Sequence, residues 1–469
     1  MGRMDELAQL LGEQYVLTGS DAEPYTVDWR GRYSGRALAV AKPATVHELA
    51  AVVRWCGANQ VPMIPQGGNT GLCGGATPDD AGSALVIATS RLNAIRHIDT
   101  DNDTMVVEAG CILQAVQQAA RDAGRLFPLS LAAEGSCTIG GNLATNAGGT
   151  QVLRYGNARD LVLGLEVVTP QGEIWNGLRG LRKDNTGYDL RNLYIGSEGT
   201  LGFITAATLK LYPLPVAQCT ALLALRSIDD AVAVLSAARK GFGAMLTGFE
   251  LMAGNCLRGV TRCYPEQRLP FEGETANLPW YALLELSDSE SEAHARERFE
   301  QVLGECVEAG LVVDAVVAEN VTQSRALWHL RESIPLAEKA FGKSVKHDVS
   351  VSASRMSEFV ETTNAALQAE FPGVEHVIFG HLGDGNLHYN VAPGAAHTED
   401  GLLALQPAIH GLVHDQVHAF QGSISAEHGV GQLKRDYLPK YKDPVELALM
   451  RRIKAALDPD GLMNPGKVL

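Results

Sequence analysis

The run Gly380-His381-Leu382-Gly383-Asp384-Gly385-Asn386-Leu387-His388-Tyr389-Asn390 is answered further along by Ser425-Ala426-Glu427-His428-Gly429-Val430-Gly431. Together they gather three histidines, a glutamate and an Asp-Gly turn in one C-terminal region, which are the residue types of ligand and base chemistry. Residues 374–380 and 387–392 read as two short strands, and the Gly-Asp-Gly between them is a hairpin signal. A hairpin returns His381 toward His388, so two imidazoles could share a cation, with Glu427 adding a carboxylate oxygen. That set is an open three-ligand site of the catalytic kind. His428 then stands as a base. The same residues fit, with equal weight at this point, a histidine-capped hairpin and an unrelated Glu-His pair in a loop. His-x6-His is not a standard zinc spacing.

Elements upstream must position this chemistry. Residues 46–59 carry apolar positions at helical spacing, and a strand over 61–65 opens straight into Gln66-Gly67-Gly68-Asn69-Thr70-Gly71. Further strands are expected over 84–88 and 104–109, with a helix over 113–123. A second glycine-rich block runs from Glu134 to Gly149, and a third, Gly196-Ser197-Glu198-Gly199-Thr200-Leu201-Gly202, precedes a β-branched run. Pro213 and Pro215 then punctuate the chain as a domain boundary would. Successive small residues let backbone N–H groups face an anion and let a pyrophosphate approach the main chain. No block has the spacing of a Walker loop or of the Gly-x-Gly-x-x-Gly turn. Separate glycine loops favour a phosphate-bearing cofactor, and a dinucleotide in particular.

Composition limits the rest. A chain of 469 residues, 46% hydrophobic, can bury several cores, and no uninterrupted apolar run reaches the span of a membrane helix. The N-terminus lacks the apolar segment of a signal peptide. Eight scattered cysteines without a Cys-x-x-Cys pair fit a reduced, cytoplasmic setting. A formal charge of −15 argues against nucleic acid and anionic membranes as partners, and it requires a locally basic pocket for an anionic substrate.

The blocks Pro65–Gly71, Glu108–Cys111, Gly135–Gly149, Arg182-Lys-Asp-Asn-Thr-Gly-Tyr-Asp-Leu190 and Gly196–Gly202 resemble the FAD domain of the vanillyl-alcohol oxidase superfamily. The two C-terminal runs resemble the substrate domain of FAD-linked D-2-hydroxyacid dehydrogenases, most closely those members that act on D-2-hydroxyglutarate. The resemblance spans nearly the whole chain with the motifs in order. It implies an α+β fold: a two-subdomain PCMH-type FAD-binding domain over 1–215, and a substrate domain with an antiparallel sheet over 216–425. A segment over 426–469 would complete the active site and pack on the FAD domain.

Roles follow from the resemblance residue by residue. Pro65, Gln66, Gly67, Gly68, Asn69, Thr70 and Gly71 would wrap the FAD pyrophosphate. Asn69 stands where covalent members carry the attaching histidine, so the FAD is expected to be non-covalent. Ser136, Gly140, Gly141, Asn142, Thr145, Asn146, Gly148 and Gly149 would line its ribityl and pyrophosphate region. Glu198 and Ile204 would lie at the adenine end, and Asn464 near the isoalloxazine. The metal, zinc by resemblance, matches His381, His388 and Glu427, and the base matches His428. Arg331, Lys346 and Asn390 fall at substrate-binding positions, with Glu427 and His428 also touching substrate. Two cations exceed what a monocarboxylate needs beside a metal, which favours a dicarboxylate. Pro335 replaces a threonine that D-2-hydroxyglutarate-specific members tend to have, so D-lactate, glycolate and D-malate stand as alternatives. The resemblance further implies an electron-transfer flavoprotein or quinone-linked acceptor, with a homodimer among the expected assemblies. A nonenzymatic flavin- or metal-binding module is the reading from another class, and the intact Glu-His pair argues against it.

Overall fold

Short apolar runs become strands and longer amphipathic runs become helices in the computed structural model, which describes residues 2–469. The described residues divide into two units. One takes in the chain as far as Gly149, then Gly156–Leu214 and Glu427–Leu469. The other takes in Thr150–Tyr155 and Pro215–Ala426.

The first unit holds two principal sheets. Strands β1 (Val16–Leu17), β2 (Ala39–Ala41), β3 (Met63–Gln66) and β4 (Leu85–Ala88) form one in the order β1-β2-β4-β3, with β2 and β3 both parallel to β4. The crossover into β3 is the helix Val46–Asn59. Thr45 starts it by accepting from Glu48 N, and Glu48 reaches back to Ala44 N at 2.6 Å, a reciprocal cap. Gln60 ends it in a left-handed conformation. Leu49, Val52, Val53 and Cys56 of this helix are fully buried against Met63, Leu85 and Ile87. The second sheet uses β5 (Ile95–Asp99), β6 (Thr104–Glu108), β8 (Val162–Val168), β9 (Ile174–Gly177) and β10 (Phe203–Lys210). It runs β5-β6-β10-β8-β9, antiparallel throughout. A small pair joins β7 (Arg125–Leu126) to β11 (Tyr212–Pro213).

The second unit is built on one seven-stranded antiparallel sheet. Its strands are β12 (Ala217–Leu225), β13 (Leu246–Ala253), β14 (Trp280–Asp288), β15 (Asp314–Val317), β16 (Asp348–Ser350), β17 (Glu375–Gly380) and β18 (Asn386–Ala392), in the order β15-β12-β14-β13-β17-β18-β16. Helices Ile228–Phe242, Glu292–Glu308 and Met356–Glu370 bury Val234, Phe299 and Phe359 in its core. Every residue of β13 is buried, as in a strand covered on both faces. The fold is therefore α+β with antiparallel sheets. No helix of the described residues is long and apolar enough to cross a membrane.

Candidate active site

In the first unit, β3 delivers the loop Gln66–Gly71 into a cleft open to solvent. Gln66 anchors the loop by donating to Tyr25 O at 2.8 Å and Ala76 O at 2.9 Å. Side chains are excluded on its inner edge. A Cβ on Gly68 would lie 2.1 Å from Ser136 O, and one on Gly67 would lie 2.3 Å from Thr138 Oγ1. Asn69 takes a positive φ of 52° and donates to Val27 O at 2.8 Å.

Pro65 through Gly71, Gly140, Gly141, Asn142, Thr145, Glu198, Ile204 and His428 all line this cleft. Ser136, Asn146, Gly148, Gly149 and Asn464 fall outside its lining. Asn146 holds the adjoining chain by accepting from Arg159 N at 2.9 Å. Gly149 passes so close to Ser130 O that a Cβ would meet it at 1.9 Å. The cradle fits a phosphate-bearing cofactor. Gly67, Gly68, Gly140 and Gly141 leave its main chain open at those positions, and the buried Thr138 Oγ1 on its wall has no hydrogen-bond partner among the described residues, a cost that a polar ligand removes.

Glu198 and Asn464 lie side by side. Asn464 Nδ2 donates to Glu198 O at 2.8 Å and to Gly75 O at 2.9 Å. The Glu198 carboxylate accepts from Val430 N at 2.7 Å and Gly431 N at 2.8 Å, so it clamps the segment that carries His428. Burial pushes this carboxyl up from its ordinary range, opposed by those two amides and Lys434. His428 Nε2 stands 3.6 Å from Glu427 Oε1.

In the second unit, the β17–β18 hairpin forms as the Asp-Gly turn requires, with Phe379 opposite His388 and Glu375 opposite Ala392. Gly385 turns at φ 81°, and Asp384 Oδ1 accepts from Asn386 N at 3.1 Å. The His381 and His388 rings come to 5.8 Å between centroids. His381 Nδ1 donates to Glu250 Oε1 at 2.7 Å, which leaves Nε2 as the lone-pair nitrogen and fixes the ring. Asp348 lies opposite His388 in register. Glu250 is wholly buried on β13. Burial alone would raise its pKa, but its interactions with His381 and Arg331, hydrogen bonds included, hold it below the usual carboxylate range.

The two expected substrate cations each have a carboxylate partner. Arg331 Nε donates to Glu250 Oε2 at 2.8 Å, and the residue is 6% exposed. Lys346 Nζ is hydrogen-bonded to Glu338 Oε2, while Asn390 Nδ2 donates to Glu338 Oε1 at 2.7 Å. Each of these two cations thus already has a glutamate beside it. Pro335 sits at the start of the short helix Ile334–Ala337, where its fixed φ suits a first turn.

Glu250, Glu338 and Asp348 escaped the reading of the sequence. A carboxylate inside the apolar run Leu246–Ala253 was the available signal for Glu250. The other two emerge only from strand and helix packing.

Residues 214–468 match the family described as FAD linked oxidases, C-terminal domain, and residues 37–177 match a FAD binding domain. The chain is 42% identical over 452 residues to D-2-hydroxyglutarate dehydrogenase of Xanthomonas citri pv. viticola, covering 96% of this chain and 93% of the relative. It is 38% identical over 469 residues to the mitochondrial D-2-hydroxyglutarate dehydrogenase of Bos taurus, covering 99% and 83% respectively. Among solved structures, p-cresol methylhydroxylase with substrate bound superposes with a TM-score of 0.78 at 16% identity, covering 99% of this chain and 96% of that one. Alkyldihydroxyacetonephosphate synthase superposes at 0.73 and 17%, covering 99% and 84%. These two likenesses are of fold.

Proposed function

The chain belongs to the FAD-linked oxidases and, among them, to the D-2-hydroxyglutarate dehydrogenase family, and from that membership we propose that it oxidises D-2-hydroxyglutarate to 2-oxoglutarate. The observation that carries this reading is identity of 42% running along nearly the full length of both chains. FAD, held non-covalently in the glycine-lined cleft, would supply the acceptor for the hydride that leaves C2.

His428, which lines that cleft, removes the hydroxyl proton. His381, His388 and Glu427 would hold a divalent cation. Two imidazoles and one carboxylate suit zinc, and the Glu250 partner of His381 is the usual orienting group behind a metal-bound histidine. Bound there, the cation would make the substrate hydroxyl more acidic. Arg331 offers the substrate a carboxylate fork with its Nη pair while Nε stays on Glu250. Lys346 and Asn390 join Arg331 at the far carboxylate, which requires them to exchange Glu338 for substrate. An electron-transfer flavoprotein or a quinone-linked protein, in the cytoplasm, would be the electron acceptor.

A second reading keeps the same chemistry on D-lactate, glycolate or D-malate, and the glutamate already beside each cation favours the two monocarboxylates among these. Steady-state turnover with a dye acceptor distinguishes the two. D-2-hydroxyglutarate should give the highest kcat/KM among these acids, with 2-oxoglutarate as product. A higher value for D-lactate would transfer the assignment to the second reading.

A further inference from the structure

Three histidines that take no part in the chemistry above converge inside the second unit. His410 and His414 lie one turn apart on the helix Gln406–Ala419, a spacing that sets both rings on one helix face. The rings stack at 5.5 Å between centroids. His-x-x-x-His on a helix is a recurrent way to present two imidazoles to one transition-metal ion. The third histidine, His347, precedes β16 and comes to 4.7 Å from His410 and 5.7 Å from His414, centroid to centroid. All three are buried, at 3%, 8% and 3% exposure for His347, His410 and His414.

The tautomer of His347 is set by its surroundings. Its Nδ1 donates to Tyr389 O at 2.8 Å, so the lone pair sits on Nε2. A backbone carbonyl behind one ring nitrogen is the support that metal-bound histidines commonly have. Nε2 points inward and lies 2.9 Å from His410 Nδ1. One ring nitrogen from each histidine falls within 4.8 Å of the others. Nitrogens on a tetrahedral zinc, with bonds of about 2.0–2.1 Å, stand about 3.3 Å apart. The cluster brackets that spacing, so small ring rotations bring the three onto one ion.

We propose that His347, His410 and His414 form a structural divalent-cation site, suited to zinc or another imidazole-seeking transition ion. The site fastens the helix Gln406–Ala419 to strands β16 and β18. Those strands carry Asp348, His388 and Asn390, so the ion stiffens the frame behind the substrate groups. It is independent of the cation proposed at the hairpin and shares no ligand with it.

The test uses FAD-loaded His388→Ala protein, which lacks one hairpin ligand and keeps the buried triad. After chelation and dialysis it is titrated with Co²⁺. One equivalent should bind, with the visible d–d absorption of a nitrogen-ligated ion, and X-ray absorption should count three imidazoles. Adding His414→Leu should weaken binding by more than the roughly 10–100-fold that loss of an orienting partner costs. No uptake, uptake indifferent to His414→Leu, or a shell with fewer than two imidazoles would overturn the proposal. If the double variant does not fold, the imidazole count in the single variant decides. Metal analysis of the unmodified protein separates the two sites. If only the triad is real, one equivalent remains that is sensitive to His414→Leu and not to His388→Ala. If only the hairpin site is real, the sensitivities reverse, and a neutral His410-to-His347 hydrogen bond explains the cluster.

Discussion

A general base that removes the substrate hydroxyl proton contributes about 10²–10⁴-fold in rate. His428→Asn should slow flavin reduction by that order while substrate affinity is largely kept, and an unchanged rate in stopped flow would assign His428 to structure. Arg331 is a sharper case, because its Nε already serves Glu250. Arg331→Met leaves a buried carboxylate facing His381 alone, and truncating one partner of a buried charge pair costs about 2–5 kcal/mol. If the Nη fork also binds the far carboxylate, the variant should lose D-2-hydroxyglutarate turnover more steeply than D-lactate turnover. Equal losses would restrict Arg331 to positioning Glu250. His376 offers a pH test. Burial pushes its pKa down to about 4, whereas an unfolded histidine titrates near 6.5. The unfolded chain thus binds the extra proton first as pH falls, and stability declines between about 6.5 and 4. His376→Gln should flatten that part of the Tm profile, and a profile with unchanged slope contradicts the assignment.

On strand β13, Glu250 joins the hairpin histidine to the arginine. Glu250→Gln keeps the shape but removes the charge, so metal affinity should fall by roughly 10–100-fold, the usual cost of an orienting partner. FAD content should stay level, since the glycine cleft lies in the other unit. Simultaneous loss of flavin would show that the substitution unfolds the chain. At this scale much was legible in advance. The helix over 46–59 has the expected bounds because Thr45 caps it and Gln60 closes it, both local signals. The β17–β18 hairpin was readable from Asp384-Gly385 for the same reason. Register was not readable. Asp348 faces His388 only because β16 pairs beside β18, a contact between segments far apart in sequence. The placement of Glu198 beside Asn464 is equally non-local, and so is the meeting of His347 with a helix that follows it by many residues. The spacing of His410 and His414 was visible, but spacing alone did not reveal a third ligand.

Across the whole molecule, the three glycine blocks meet at or beside one cleft, and two glutamates answer the two cations meant for substrate. The first outcome was foreseeable from residue types; the second was not, because charge pairing depends on the fold. Asn69 offers no nucleophile, so acid precipitation should release the flavin into the supernatant, and flavin retained in the pellet would mean covalent attachment elsewhere in the cleft. The most direct measurement is anaerobic mixing of the oxidised yellow protein with D-2-hydroxyglutarate in a single turnover. The flavin should bleach fully, with one 2-oxoglutarate formed per FAD, and the L-enantiomer should leave the spectrum unchanged. A flavin that stays oxidised with D-2-hydroxyglutarate, or that bleaches faster with D-lactate, would contradict the assigned reaction.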